Sequence, residues 1–273
     1  MSMGKYSDIL SLAIETARKA GTFVREARQE GLIVDAKSRI DFVSDKDRMS
    51  EDIIRQSIKE KYPDHLFFGE ESVYGETLEE ELAQIDSFRD EDYIWVVDPI
   101  DGTVNYIRGY PQYVICIGVI HRKELVVGVI YDPSHDHMYS AEIGCGAFLN
   151  GQPIHVSDTQ EAADGIITTS MPTFSMDVRR VLLSQINAIS ENFQSVRVWN
   201  CAGLSLAAVA AGVTDADYEI GIHLWDMAAG IVIIREAGGK VCMPDGSPYK
   251  LTATGVVATN ALLQNETIRI LNS

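Results

Sequence analysis

The feature that most constrains this chain is the run Trp95-Val96-Val97-Asp98-Pro99-Ile100-Asp101-Gly102-Thr103. Its apolar half reads as a buried strand that ends in two carboxylates three residues apart. Paired acids at the end of a buried strand are costly unless a cation occupies the gap between them. Pro99 fixes φ and stiffens the turn, so both carboxylates can converge with little further loss of entropy. Gly102 permits close approach of backbone to a ligand, and Thr103 adds a hydroxyl. The simplest chemistry is an all-oxygen divalent-cation site beside an anion cradle. An Asp-Pro turn with a helix cap is the plainer reading of the motif alone, so its weight depends on what accompanies it.

At 273 residues and 46% apolar, the chain suffices for one large domain or two modest ones with a sizeable core. The longest apolar stretch, 113–120, is strand-sized, so no membrane span is expected. Lys5, Asp8 and Glu15 interrupt the first residues, which do not read as a signal peptide. Cys116, Cys145, Cys201 and Cys242 are far apart, with no paired ligand spacing. They suggest ordinary thiols in a cytoplasmic protein, with a disulfide left open. The net charge of −17 argues against direct nucleic-acid binding. It also means that an anionic substrate needs local cations to reverse the field at its site.

Apolar residues recur at helical spacing over 7–30 and again over 44–61, with Pro63 beyond the second helix. A short strand at 66–68 leads into Gly69-Glu70-Glu71-Ser72. The acidic stretch 77–92 reads as a solvated helix and loop rather than a binding surface. A hairpin follows at 113–121 and 124–131, then strands at 138–141 and 147–156, the latter broken by an Asn150-Gly151 turn. Helices are predicted at 175–191, 202–211, 227–237 and near 261–271, and strands at 195–199, 216–221, 239–243 and 250–259. Blocks of this kind indicate a layered α/β architecture, with a boundary near residue 150.

Several acids have plain local readings. Glu70 and Glu71 alone would be a polar turn. Asp226, after Trp225, sits in the first turn of an apolar helix, where a dipole partner contributes only about 0.3–1 kcal/mol. Asp47 lies three residues after Ser44, as in a capping box, which does not preclude a second role. His135-Asp136-His137 reads as a hairpin loop, Trp95 and Trp225 as core, and Cys145 as part of a tight turn. His223 reads more readily as a local packing or hydrogen-bonding residue than as part of a site.

Taken in order, Ser44-x-x-Asp47, Gly-Glu-Glu-Ser at 69–72, Asp-Pro-Ile-Asp-Gly-Thr at 98–103 and Trp-Asp-x-Ala-Ala-Gly at 225–230 resemble the inositol monophosphatase family. Glu-Ala-Gly-Gly at 236–239 extends the match, which spans nearly the whole chain as far as Val257-Ala258-Thr259-Asn260. The resemblance implies a five-layered αβαβα sandwich and a Mg2+-dependent, lithium-sensitive phosphomonoesterase that forms a homodimer. It implies two to three Mg2+ per active site. Glu70, Asp98 and the Ile100 carbonyl would hold one ion, Asp98, Asp101 and Asp226 a second, with Glu70 helping a weaker third. On this reading 1–150 carries most of the ligands, and 151–273 carries Asp226 and the substrate side, in one compact unit. Carboxylates, a carbonyl and waters suit Mg2+, whereas zinc more often recruits His or Cys.

The implied reaction is attack of a metal-activated water on phosphorus. Thr103, hydrogen-bonded toward Asp47, would orient that water near Glu70, and the amides of Gly102 and Thr103 would cradle the phosphate. Asp98 is also a candidate nucleophile, although a shared metal ligand makes a poor one. Substrate contacts implied by the resemblance are Asp101, Gly102, Thr103, Ala202, Glu219 and Asp226. For Glu219 the alternative is an exposed strand-end acid. Lys37 matches a family position near the metals, and a surface lysine is the equal alternative.

The chain departs from the family at Met171-Pro172-Thr173-Phe174 and at Asn200-Cys201-Ala202, where Gly-Ser/Thr-Ala is common. Asn200 replaces a permissive glycine, and the Cys201 thiol replaces a better hydrogen-bonding hydroxyl. Both are therefore possible determinants of an altered leaving-group pocket. Hydrolysis of a small phosphorylated metabolite is better supported than any single substrate. Inositol monophosphate or a related sugar or polyol phosphate comes first. A fructose-1,6-bisphosphatase, NADP phosphatase or adenosine 3′,5′-bisphosphate phosphatase is the alternative. A non-catalytic regulatory protein is the reading from another class, and the complete acid set argues against it.

Overall fold

The N-terminal apolar spacing resolves into two helices, α1 (Ser7–Ala27) and α2 (Asp45–Lys61), with a short antiparallel ribbon, β1 (Val34–Ala36) and β2 (Phe42–Ser44), between them. This computed structural model describes residues 4–28, 32–36, 42–172 and 175–273; Lys37, Thr173 and Phe174 lie outside them. Ser44 caps α2, accepting from the Lys46 N–H at 3.2 Å, while Asp47 Oδ2 accepts from the Ser44 N–H at 2.9 Å. The capping box expected from the spacing is therefore present.

The chain continues through β3 (Leu66–Gly69), α3 (Leu78–Asp86), β4 (Tyr93–Asp101), α4 (Thr103–Arg108), β5 (Val114–His121), β6 (Glu124–Asp132), β7 (His137–Glu142), β8 (Ala147–Leu149) and β9 (Gln152–Ile154). Its strands form one seven-stranded sheet in sequence order, with β3 parallel to β4 and every later neighbour antiparallel. Side chains alternate along β4 between two cores. Trp95 and Val97 pack with Ala13, Ala17 and Ile54 of α1 and α2, whereas Ile94 and Val96 join the core on the opposite face. Burial on both faces is why this strand is continuously apolar.

The second half contributes β10 (Ile166–Thr169), α5 (Met176–Asn192), β11 (Ser195–Val198), α6 (Ala202–Ala210), β12 (Ala216–Ile220), α7 (Leu224–Glu236), β13 (Lys240–Cys242), β14 (Gly255–Thr259) and α8 (Gln264–Leu271). The strands form a mixed five-stranded sheet ordered β11-β10-β12-β14-β13. Helices α6 and α7 are apolar on nearly all sides because they lie between the two sheets. A Cβ on Gly118 of β5 would fall 2.7 Å from the Ala228 methyl, so glycine there lets α7 lie directly on the sheet. Leu182 and Ile189 of α5 and Ile270 of α8 cover the outer face of the second sheet. The layers are thus α1/α2, seven strands, α6/α7, five strands and α5/α8, the αβαβα sandwich that the resemblance implied.

One element near the site, β10, is absent from the sequence reading, being short and without a clear period, whereas α4 begins at Thr103 as the helix start read at Gly102-Thr103 requires. All four cysteines are free thiols. Among the described residues no helix is long and apolar enough to cross a membrane.

Candidate active site

The end of β4 presents the two acids of the 98–101 turn, where the ladder with β5 shifts register between Asp98 and Asp101. Pro99 has no N–H to donate there, so the irregularity costs the sheet little. Asp98 Oδ1 accepts from the Ile100 N–H at 2.9 Å. Asp101 Oδ2 accepts from the Gly203 N–H in the first turn of α6 at 2.5 Å, and from the Cys201 thiol at 3.4 Å. Asp226 arrives from the first turn of α7, where its Oδ2 accepts from the His223 N–H at 2.7 Å. Asp98, Asp101 and Asp226 each offer a carboxylate oxygen, and these atoms all lie within 4.8 Å of one another.

Three acids so placed resist ionisation. Burial, then Glu70, Asp101 and Asp226, push the Asp98 carboxyl well above the usual range. Burial pushes Asp101 up to about 6 against hydrogen bonds from Gly203 and Cys201, and Asp226 up to about 7. A divalent cation bound among them would relieve this repulsion, and a donor set of oxygens alone suits a hard cation of the magnesium type.

Glu70 opens a 3-10 turn, Glu70–Ser72, directly after β3. Parallel pairing sets Gly69 opposite Val97, so Glu70 emerges beside Asp98. Thr103 starts α4, and its hydroxyl lies 3.1 Å from Asp47 Oδ1 and 2.9 Å from the Ile100 carbonyl. Asp47, only 1% exposed, is pushed up to about 6 chiefly by burial. Gly102 has φ 86°, and a Cβ there would fall 2.7 Å from the Gln112 carbonyl, so this turn requires glycine.

A cavity of about 260 Å³ gathers these groups. Glu70, Asp98, Ile100, Asp101, Gly102 and Thr103 line it from the first sheet, and Asn200, Cys201, Ala202, Glu219 and Asp226 from the second half. Asp47 stands behind Thr103 rather than in the wall. Glu219 is not an exposed strand-end acid. It is fully buried on β12, accepts from Ser170 N–H at 3.1 Å and Oγ at 2.7 Å, and is pushed well above the usual range by burial and by Asp217.

The acidic stretch 77–92 also needs correction. Glu81 of α3 is 4% exposed, lines the cavity, and accepts from His223 Nδ1 at 2.7 Å. His223 in turn stacks on Trp225 with ring centroids 4.5 Å apart, so it both packs locally and lines the site. The available signal was Ile85, four residues on, which marks the inward face of α3. The His135–His137 loop stays structural, with His135 bonded to Asp132 at 2.7 Å.

Asn200 has φ 52°, which asparagine tolerates better than most residues. Its amide brackets the Met171 backbone, donating to the carbonyl at 3.2 Å and accepting from the N–H at 3.4 Å. At the position where the resemblance implies glycine, this side chain thus ties down one wall of the cavity. Asn200→Gly keeps the backbone and releases that wall. Losing two hydrogen bonds is expected to raise KM about three- to tenfold with little change in kcat, measured by steady-state phosphate release.

The chain is similar to known proteins over nearly its whole length. Residues 5–273 match the profile described as the inositol monophosphatase family. The chain is 37% identical to inositol monophosphatase 3 of Solanum lycopersicum, over 98% of each chain. Its fold is similar to the crystal structure of the extragenic suppressor protein suhB from Bartonella henselae, with TM-score 0.87 and 30% identity over 98% of this chain and 99% of that one. It is also similar to the inositol monophosphatase from Anabaena (Nostoc) sp., with TM-score 0.83 and 31% identity over 98% and 97%.

Proposed function

The chain belongs to the inositol monophosphatase family and is a phosphoric monoester hydrolase, and from that premise we propose that it is magnesium-dependent and acts on inositol monophosphate or a related small polyol phosphate. The observation that carries the reading is the convergence of Asp98, Asp101 and Asp226 oxygens within 4.8 Å, in one cavity with Glu70 and Thr103. Those three acids, with Glu70 and the Ile100 carbonyl, would hold the magnesium. Bound there, magnesium supplies Lewis acidity, offsetting phosphate charge and making a water more acidic.

The protein's own groups then do the positioning. The amides of Gly102 and Thr103 would contact phosphate oxygens, with no Cβ on Gly102 to obstruct them. Thr103 would hydrogen-bond the attacking water and pass a proton to Asp47. With its carboxyl pushed up to about 6, Asp47 is ionised at pH 7 yet basic enough to receive it. Glu219 and Ser170 would present hydrogen-bonding oxygens to a hydroxyl of the leaving alcohol. A fructose bisphosphatase, NADP phosphatase or adenosine bisphosphate phosphatase is the second reading, and a substrate panel separates it from the first.

Phosphate release from a panel of inositol, sugar and nucleotide phosphates, with and without Mg2+, tests the reading. The expected result is magnesium-dependent turnover that is fastest on polyol monophosphates. No turnover on any member, with magnesium binding confirmed, would overturn it. Thr103→Val, which keeps the shape and removes the hydroxyl, is expected to lower kcat by about 10²-fold or more, with Thr103→Ser restoring most of it. Lithium inhibition and a homodimer are further expectations from the family. Turnover unchanged at millimolar lithium across a magnesium titration would remove the first.

A further inference from the structure

One face of α2 carries three buried polar residues at helical spacing: Asp47, Ser50 and Glu51, at 1%, 0% and 2% exposure. Each grips a different segment of the site. Asp47 accepts from Thr103. Ser50 Oγ donates to the Pro99 carbonyl at 3.0 Å, in the middle of the turn that presents Asp98 and Asp101. Glu51 Oε2 accepts from the Glu71 N–H at 2.8 Å, and its Oε1 accepts from the Ser72 hydroxyl at 2.5 Å. Both contacts lie in the 3-10 turn that begins with Glu70.

A buried carboxylate is costly, and an apolar side chain of similar volume is often as stable or more so. Glu51 is nonetheless paired with Arg55, whose guanidinium donates to Oε1 at 2.6 Å, also contacts the Ser72 hydroxyl, and lies 4.7 Å over the Phe67 ring. Gly69 abuts it so closely that an added Cβ would collide with Glu51 Oε2. Charge-assisted hydrogen bonds of this kind are short and directional, so they fix position as well as contribute stability. The β4–β5 ladder is interrupted between Asp98 and Asp101, and there Ser50 supplies a hydrogen bond from outside the sheet.

We propose that Ser50 and Glu51 are positioning residues: the polar face of α2 holds the turn of Glu70 in register with the turn of Asp98 and Asp101, and thereby sets the affinity for a divalent cation. The inference rests on the magnesium reading above. Neither residue lines the cavity, so Ser50 acts through the Pro99 carbonyl and Glu51 through the Glu71 N–H and the Ser72 hydroxyl.

Calorimetric titration of magnesium chloride into the chelator-treated protein tests this without reference to turnover. Glu51→Gln keeps the side-chain volume but sets an amide NH2 against N–H and O–H donors. It is expected to weaken magnesium binding about tenfold or more, the scale found when hydrogen-bond partners behind metal ligands are removed. Ser50→Ala deletes one hydrogen bond and is expected to weaken it about threefold or more. Purely structural residues would lower the melting temperature of the metal-free protein and leave the magnesium Kd of the folded protein unchanged. That result in both variants would overturn the proposal. If Glu51→Gln does not fold, Ser50→Ala decides by the same criterion. A wild-type protein with no magnesium isotherm would instead overturn the magnesium reading and this proposal with it, a result distinct from unchanged variant affinity.

Discussion

Asp98→Asn is expected to cut magnesium-dependent phosphate release by about 10³-fold or more, beyond the 10–100-fold typical of groups behind the ligands, and at the same time to raise the melting temperature of the metal-free protein. The two effects share one cause. Asp98 is 2% exposed, and burial together with Glu70, Asp101 and Asp226 opposes its ionisation. Asparagine keeps an oxygen for the Ile100 N–H and removes the charge. The repulsion that a cation would otherwise relieve is then smaller before any cation binds. Each kcal/mol so recovered should raise the melting temperature by about 2–4 °C for a chain of roughly this size. Calorimetry with a chelator present, beside phosphate release with magnesium, reads both. A variant that keeps wild-type turnover would remove Asp98 from the site; one that melts lower without metal would show that the acids do not strain the fold.

Metal removal should make the wild-type protein less stable as pH rises, the reverse of ordinary acid denaturation. Burial chiefly raises the folded-state values of Asp47 and Asp101 to about 6 and of Asp226 to about 7. An unfolded aspartate titrates near about 3.9. Between those limits the folded chain binds more protons than the unfolded one, so stability falls with increasing pH. The contribution is full below about pH 4 and is lost as pH passes through 6 and 7. At ~1.4 kcal/mol per pKa unit, the chelated protein should melt lower at pH 8 than at pH 5 by on the order of 10–20 °C. Magnesium should reverse the loss, and its stabilising effect should grow with pH because binding displaces protons. Thermal melts at both pH values, with chelator and with magnesium, decide the matter. A melting temperature that is flat or rising in chelator, or a magnesium shift of equal size at both, would sink it. In Asp98→Asn the slope should be shallower.

Much of the local structure is legible in the chain itself. The capping box at Ser44 and Asp47, the hairpin turning at Arg122 and Lys123, and the buried helix from Ala202 follow from periodicity and turn chemistry, which act over a few residues. The short β10 is not legible because its four residues are too few to show a period. The burial of Glu81 is hidden from the sequence for a related reason. In a run of acids, composition points to solvent, and only the packing of α3 turns one carboxylate inward toward His223.

That a continuously apolar strand ends in two acids on a proline turn is written in the chain, because strand period and proline geometry are local properties. Its ordered motifs also identified the family. Tertiary structure alone decided what meets that turn. Parallel pairing of β3 with β4 sets Glu70 beside Asp98, and the packing of α7 between two sheets carries Asp226 to within 4.8 Å. The same layering buries Glu219 and aligns Ser50 and Glu51 behind the site. These encounters join residues far apart in the chain. They are set by which faces must be buried against which, and no local preference of the backbone encodes that.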